Sequence, residues 1–169
     1  PMGRFEESVR EARLALELDP NDVLLNVHLA WAYLHSRRLD ESIAQSLKAI
    51  AMDPNLEVAR TGLGRAYLGK KMYVEALGEF QKTVTLAGGV AIGPDTYLGY
   101  TFAVMGRKAE ALAKLDQLQG RYRQGTASAY DLAVLYAGLN DRDRALEWLE
   151  KAYTDRSGGL LQLKGDFMF

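Results

Sequence analysis

The sequence has no cysteine, four prolines, two histidines and no apolar run as long as ten residues. Without cysteine there is no thiol nucleophile, thiolate zinc site or redox pair. The two histidines, His28 and His35, stand seven apart, so both can lie on one helix face. They have no third ligand and no H-E-x-x-H spacing, so surface positions are expected, with no metal and no cofactor. No nucleophile–base–orienter set can be assembled, and the chain is not expected to be an enzyme. No segment approaches the ~20 apolar residues of a membrane span. No signal-like stretch precedes the first periodic segment, so no membrane contact and a cytoplasmic location are expected. Positive charge is not in excess: 21 Lys and Arg against 22 Asp and Glu give a net charge of −1. That balance argues against nucleic-acid binding by phosphate neutralisation.

What is present is periodic. The chain is 169 residues long, 48% hydrophobic and 25% charged, the composition of an ordinary globular protein. Leu18-Asp19-Pro20-Asn21 returns 34 residues later as Met52-Asp53-Pro54-Asn55. At that period, columns form. Leu29, Leu63, Leu98 and Leu132 share one, followed by the small residues Ala30, Gly64, Gly99 and Ala133. Three residues on stand Tyr33, Tyr67, Phe102 and Tyr136. Later columns hold Ser8, Ser42, Ala76, Ala111 and Ala145, then Ala12, Ser46, Phe80, Leu115 and Leu149. Keeping the columns requires one extra residue near positions 88–91.

Within each half-repeat the apolar residues recur at three and four, the spacing of one helical face. The small columns let two helices approach, so each repeat reads as a helical hairpin. Asp-Pro closes the second helix, because the residue before proline leaves the α region and proline cannot continue the ladder. Asn21, Asp22 and Asn55 are then candidates to cap the next helix. Gly3, Gly106 and Asn140 share the column of the inner turn.

These columns resemble the tetratricopeptide repeat pattern W-x2-L-G-x2-Y, A-x3-F, P; the best copy is Leu63-Gly64-x2-Tyr67 with Ala76-x3-Phe80. The resemblance runs from Gly3 to about Ser157. It implies an all-α fold, a right-handed α-solenoid of stacked antiparallel hairpins. One domain over residues 1–169 is expected: a half repeat at 1–22, full repeats at 23–56, 57–91, 92–125 and 126–159, and an apolar tail at 160–169. The last third, from Tyr130 to Asp166, is also similar to the terminal repeats of bacterial multidomain signalling and transcription-regulatory proteins.

Three places depart from the pattern. The third repeat ends in Ala87-Gly88-Gly89 instead of Asp-Pro, and Thr83 and Leu118 replace the small residues Ala15 and Ala49 of the stacking column. Looser junctions are expected there, with the weakest near residues 87–93. The half repeat carries Phe5, Val9, Ala12 and Leu16 on one face without its partner helix. Either a domain boundary falls mid-repeat or the exposed stripe recruits a second copy. The tail, with Leu161, Phe167 and Phe169, either folds back over the last repeat, the favoured reading, or enters a neighbour's groove. The chain is expected to continue beyond Phe169.

The resemblance places a peptide-binding concave face on the first helix of each hairpin. By column its members are Leu24, Val27, Trp31 and Leu34; Val58, Thr61, Arg65 and Leu68; Thr96, Tyr100 and Val104; Tyr130, Val134 and Ala137. A protein or peptide with apolar anchors and one acidic group suits such a face. Arg65, Tyr100 and Tyr130 are expected to reach water, Trp31 is read both ways, and Leu68 also reads as helix packing. The clamp of Lys, Asn and Arg that grips chaperone tails is missing, since Val27, Trp31, Gly62, Gly93 and Tyr97 occupy its places. Gly64-x4-Gly69-Lys70 resembles a phosphate loop, but it lies in a helical repeat and Lys71 stands where Ser or Thr is needed. Arg121-Tyr122-Arg123 and Asp141-Arg142-Asp143-Arg144 read as solvated surface.

Overall fold

Residues before each proline step and after each inner turn bound short helices, and the computed structural model shows them as such. It describes residues 2–88, 92–162 and 168, and side chains for 4–88, 93–160 and 168. Among these there are nine α-helices and no strand. They are α1 (Met2–Leu18), α2 (Val23–His35), α3 (Leu39–Met52), α4 (Glu57–Gly69), α5 (Tyr73–Leu86), α6 (Ile92–Val104), α7 (Lys108–Arg123), α8 (Ala129–Gly138) and α9 (Arg142–Thr154). A 3-10 turn, Gly158–Gln162, follows.

The chain divides into two compact units, Pro1–Leu86 and Ala87–Phe169. The division falls in the segment where the third repeat lacks its Asp-Pro closure. In the first unit α2 pairs with α3 and α4 with α5; α1 packs on α2, α3 on α4 and α2 on α4. In the second unit α6 pairs with α7 and α8 with α9, and α6 and α7 both pack on α8.

Local chemistry sets the ends. Asp22 caps α2, accepting from the Leu25 amide at 2.9 Å. Ser128 and Asp131 form a capping box at α8. Asn21 and Asn55 cap nothing: each donates its own amide to the Asp before the proline, Asp19 at 3.2 Å and Asp53 at 3.0 Å. Leu56 is the N-cap of α4, with no side-chain bond. The inner turns pass through the left-handed region at Arg37 (φ 59°), Lys71 (φ 60°), Gly106 (φ 76°) and Asn140 (φ 58°). Glycine or asparagine takes that conformation most readily, so the first unit carries less suited residues there than the second.

The small column is explained by contact. A Cβ on Gly64 would lie 2.5 Å from the ring of Phe80, which is fully buried. One on Gly99 would lie 2.9 Å from Leu135. Leu118 is buried in a cluster with Leu115, Leu132, Leu135 and Tyr136. The larger side chain therefore fills the α7–α8 junction and does not loosen it.

A second periodic feature joins the helices of each hairpin. Gln45 of α3 donates to Asn26 of α2, which itself donates to the Asp22 carbonyl. Arg60 of α4 donates to Glu79 of α5 at 2.9 Å, and Lys114 of α7 to Asp95 of α6 at 2.6 Å. In the last hairpin the same two columns hold Ala129 and Trp148, both in the apolar packing. The cross-link is thus amide, cation-to-acid, acid-to-cation and apolar in turn.

Candidate functional site

In the first unit the inner columns belong to α2 and α4. Leu24 and Val58, each on the first turn of its helix, are 51% and 40% exposed. Val27, Leu34, Thr61 and Leu68 are buried, and the Thr61 hydroxyl donates to the Glu57 carbonyl at 2.9 Å. Trp31 is half-buried, with His35 tilted against it at 5.8 Å between ring centres. Gly62 makes this approach possible, since a Cβ there would stand 3.0 Å from Trp31 Nε1. That indole N–H is buried and has no hydrogen-bond partner among the described residues.

Arg65 departs from expectation. It is 1% exposed, with its guanidinium carbon 5.1 Å above the Trp31 ring. The close packing of α2 and α4 draws the cation onto the aromatic face, where the ring quadrupole favours it. The expected central cation is therefore a wall of the face.

In the second unit the same columns belong to α6 and α8. Thr96 is buried and its hydroxyl donates to Asp131 at 3.1 Å. Tyr100 is half-buried, and Gly138 gives it room, because a Cβ there would come within 2.8 Å of its ring. Val134 is buried and Tyr130 is only 5% exposed. The reading of Tyr130 as open aromatic surface is corrected: Gly159 lies against its ring, and Met168, 4% exposed, packs in one cluster with Ala129, Tyr130, Val134 and Ala152.

The self-association residues are likewise placed in part. Val9 is 3% exposed, packed with Leu29, Ala32 and Tyr33 of α2, so it belongs to the unit's own core. Phe5 is half-buried. Phe167 and Phe169 lie outside the described residues, and Leu161 is described only as backbone in the 3-10 turn. Leu14 and Leu18, which the sequence reading passed over, are the exposed large apolar side chains of α1. Their signal was their place off the face shared by Val9 and Leu16.

No helix among the described residues is long and apolar enough to cross a membrane, and no cluster of metal-ligating residues occurs among them. Stacked hairpins with their inner columns on the first helices define a helical-repeat scaffold of the kind that presents a surface to proteins. The tetratricopeptide repeat model matches residues 2–57 and 98–159, and the chain belongs to that family. Its fold is similar to that of a thermophilic TPR protein in Thermus thermophilus, with 20% identity over 96% of this chain and 91% of that one, and a TM-score of 0.72. It is also similar to crystal structures of MamA. One has 21% identity over 91% and 90% of the two chains with a TM-score of 0.63; another, MamA MSR-1, has 26% identity over 92% and 90% with a TM-score of 0.59. No curated protein matches the chain in sequence.

Proposed function

We propose that this chain binds a protein partner without performing chemistry, and that its open site is the inner face of α2 and α4. The observation that carries the reading is the exposure of Leu24 and Val58 on neighbouring helices beside the half-buried Trp31. Large apolar side chains around an aromatic anchor are what a peptide's own apolar residues dock against. The polar groups nearby serve the scaffold. Thr61 bonds its own helix, and the Arg65 cation faces the Trp31 ring. The partner is a segment with two apolar anchors, and the buried Arg65 places no charge requirement on it.

The test selects peptides against the whole chain by display and measures their affinity for variants. Leu24→Glu and Trp31→Ala are expected to weaken binding at least about tenfold, the loss of one anchor of roughly 1.4 kcal/mol or more. Val74→Glu, on an exposed position of α5, is expected to leave it unchanged. Selected peptides indifferent to both inner-face variants overturn the reading.

A second reading is self-association of a module within a larger regulatory protein. It is favoured by α1, where Leu18 is 90% exposed and Leu14 about half so. Light scattering of wild type and Leu14→Lys/Leu18→Lys distinguishes it: a dimer lost in the double variant supports it, and a monomer at high concentration in both removes it.

A further inference from the structure

We propose that α1 is the open half of a hairpin, and that its bare side docks a helix of another protein, one that carries an arginine or lysine four residues before a small residue. The proposal stands whether or not the α2/α4 face binds anything, and it names a different partner from self-association through α1.

The other second helices show what that side of α1 is built for. α3 packs on α2 and on α4, and α7 on α6 and on α8. α1 has one such neighbour: Val9, with Ala12 and Leu16, packs against Leu29, Ala32 and Tyr33 of α2. Its other side is uncovered, and three columns measure this. Ser42, Ala76, Ala111 and Ala145 are at most 5% exposed, whereas Ser8 in their column is exposed. Met52 and Leu86 are 38% and 40% exposed, whereas Leu18 in their column is 90% exposed. Gln45, Glu79 and Lys114 each bond the first helix of their own hairpin. In that column α1 carries Glu11, whose one partner among the described residues is its neighbour Arg10 at 3.5 Å, in solvent.

The same columns specify the occupant. Glu79 accepts from Arg60 across its hairpin, so the acid Glu11 calls for a cation in the place of Arg60. Ser42 donates its hydroxyl to the Ala30 carbonyl across the hairpin at 2.9 Å. Ser8 is therefore placed to donate to the carbonyl four residues after the cation, and the residue there is small, as Ala30 and Gly64 are, because the two helices touch at that point. Arg121, in the column of Leu18, reaches Asp95, in the column of Arg60, at 2.7 Å. An apolar residue one turn before the cation therefore covers Leu18. A second copy of this chain does not fit. Its first helices carry Asn26, Arg60, Asp95 and Ala129 in the cation's column, and Arg60 is already held by Glu79. The occupant is an amphipathic helix of another protein with the apolar residue, the cation and the small residue on one face. Burial of that face drives docking, and Glu11 selects by charge.

The experiment measures fluorescence anisotropy of two labelled synthetic helices, as long as α4, with the full chain. One carries Leu-x2-Arg-x2-Leu-Ala on one face and the other Leu-x2-Glu-x2-Leu-Ala, with alanine, glutamine and serine elsewhere in both. The wild type is expected to bind the arginine helix at least about tenfold more tightly than the glutamate helix. Glu11→Arg is expected to invert that order, and Glu17→Arg, an equal change of charge off this face, to keep it. Ser8→Phe is expected to abolish binding by blocking close approach, and Leu18→Ser to weaken it about tenfold. Leu14→Lys and Trp31→Ala, outside this face, are expected to leave it unchanged, which separates the result from that of the α2/α4 reading. Equal affinity for the two helices, an order that Glu11→Arg does not invert, or binding of neither overturns the proposal. A dimer in light scattering that the arginine helix does not dissociate gives the face to a second copy and overturns it as well.

Discussion

The two units carry the same hairpin and bury the middle columns of its inner face alike, but they differ in the column on the first turn. In the first, Leu24 and Val58 stand open beside Trp31, and Arg65 is drawn beneath the surface. In the second, the column of Leu24 and Val58 holds the small residues Gly93 and Ala127, both half-buried, while Tyr130 and Val134 are as buried as Val27 and Arg65 in the same columns of the first. Residue type alone decides neither outcome: a cation is buried in one and a tyrosine in the other. Exposure at a repeat position depends on what the neighbouring elements leave uncovered.

The comparison extends to the cross-link between the helices. Each unit holds a carboxylate between two cations. In the first it is Glu79 on the second helix, accepting from Arg60 at 2.9 Å and Lys82 at 2.7 Å. In the second it is Asp95 on the first helix, accepting from Lys114 at 2.6 Å and Arg121 at 2.7 Å. Removing a buried partner strands the other charges, so these substitutions carry the largest expected effect. Asp95→Ala is expected to lower stability by about 3 kcal/mol and Glu79→Ala by about 2 kcal/mol. The ordering follows from burial: the Asp95 carboxylate is 3% exposed and that of Glu79 12%. Urea unfolding of both variants checks it, and a larger loss for Glu79→Ala breaks the ordering.

The left-handed turns sharpen the same contrast with a smaller effect. Gly106 holds φ 76° without strain, whereas Lys71 is held at φ 60° against its preference. Gly106→Ala is expected to cost about 1 kcal/mol and Lys71→Gly to gain about 0.5 kcal/mol. Thermal melts in opposite directions are the expected result. The reverse signs show that the larger unfolded-state entropy of glycine outweighs the left-handed strain at these turns.

How much of this was legible in the sequence follows the physics of each feature. The hairpins were legible because Asp19-Pro20 and Asp53-Pro54 act locally, and because Gly64 and Phe80 mark a contact by size alone. The cross-links were not, although their columns are as regular. Asn26 with Gln45, Arg60 with Glu79, Asp95 with Lys114 and Ala129 with Trp148 share no residue type, so a search for repeated identities passes over them. Their signal is complementarity between two columns. The burial of Arg65 depends on Trp31 across a helix interface, and that of Tyr130 on Met168, thirty-eight positions on. Neither relation is periodic.

The smallest expected effect is the control for the whole comparison, because it concerns a feature the units share. At the start of α3, Arg38 donates twice to Glu41, at 2.9 and 2.7 Å. At the start of α7, Arg107 donates to both oxygens of Glu110. In each pair the hydrogen bonds from the arginine hold the carboxyl below its ordinary value of 4.5. A carboxyl whose folded pKa is depressed contributes its stability in full above the ordinary value and loses it as pH falls through the lowered one. Both pairs lie in solvent, so the effect is small and screened by salt. Arg38→Gln and Arg107→Gln are each expected to lower the melting temperature slightly near about pH 7, and less as the pH falls below the ordinary carboxyl value. Added salt is expected to shrink both losses alike. A loss at low pH equal to that at neutral pH assigns the arginines a packing role, over Tyr33 and Phe102 respectively, in place of an electrostatic one. A difference between the two arginines means that the units diverge even where their turns are built alike.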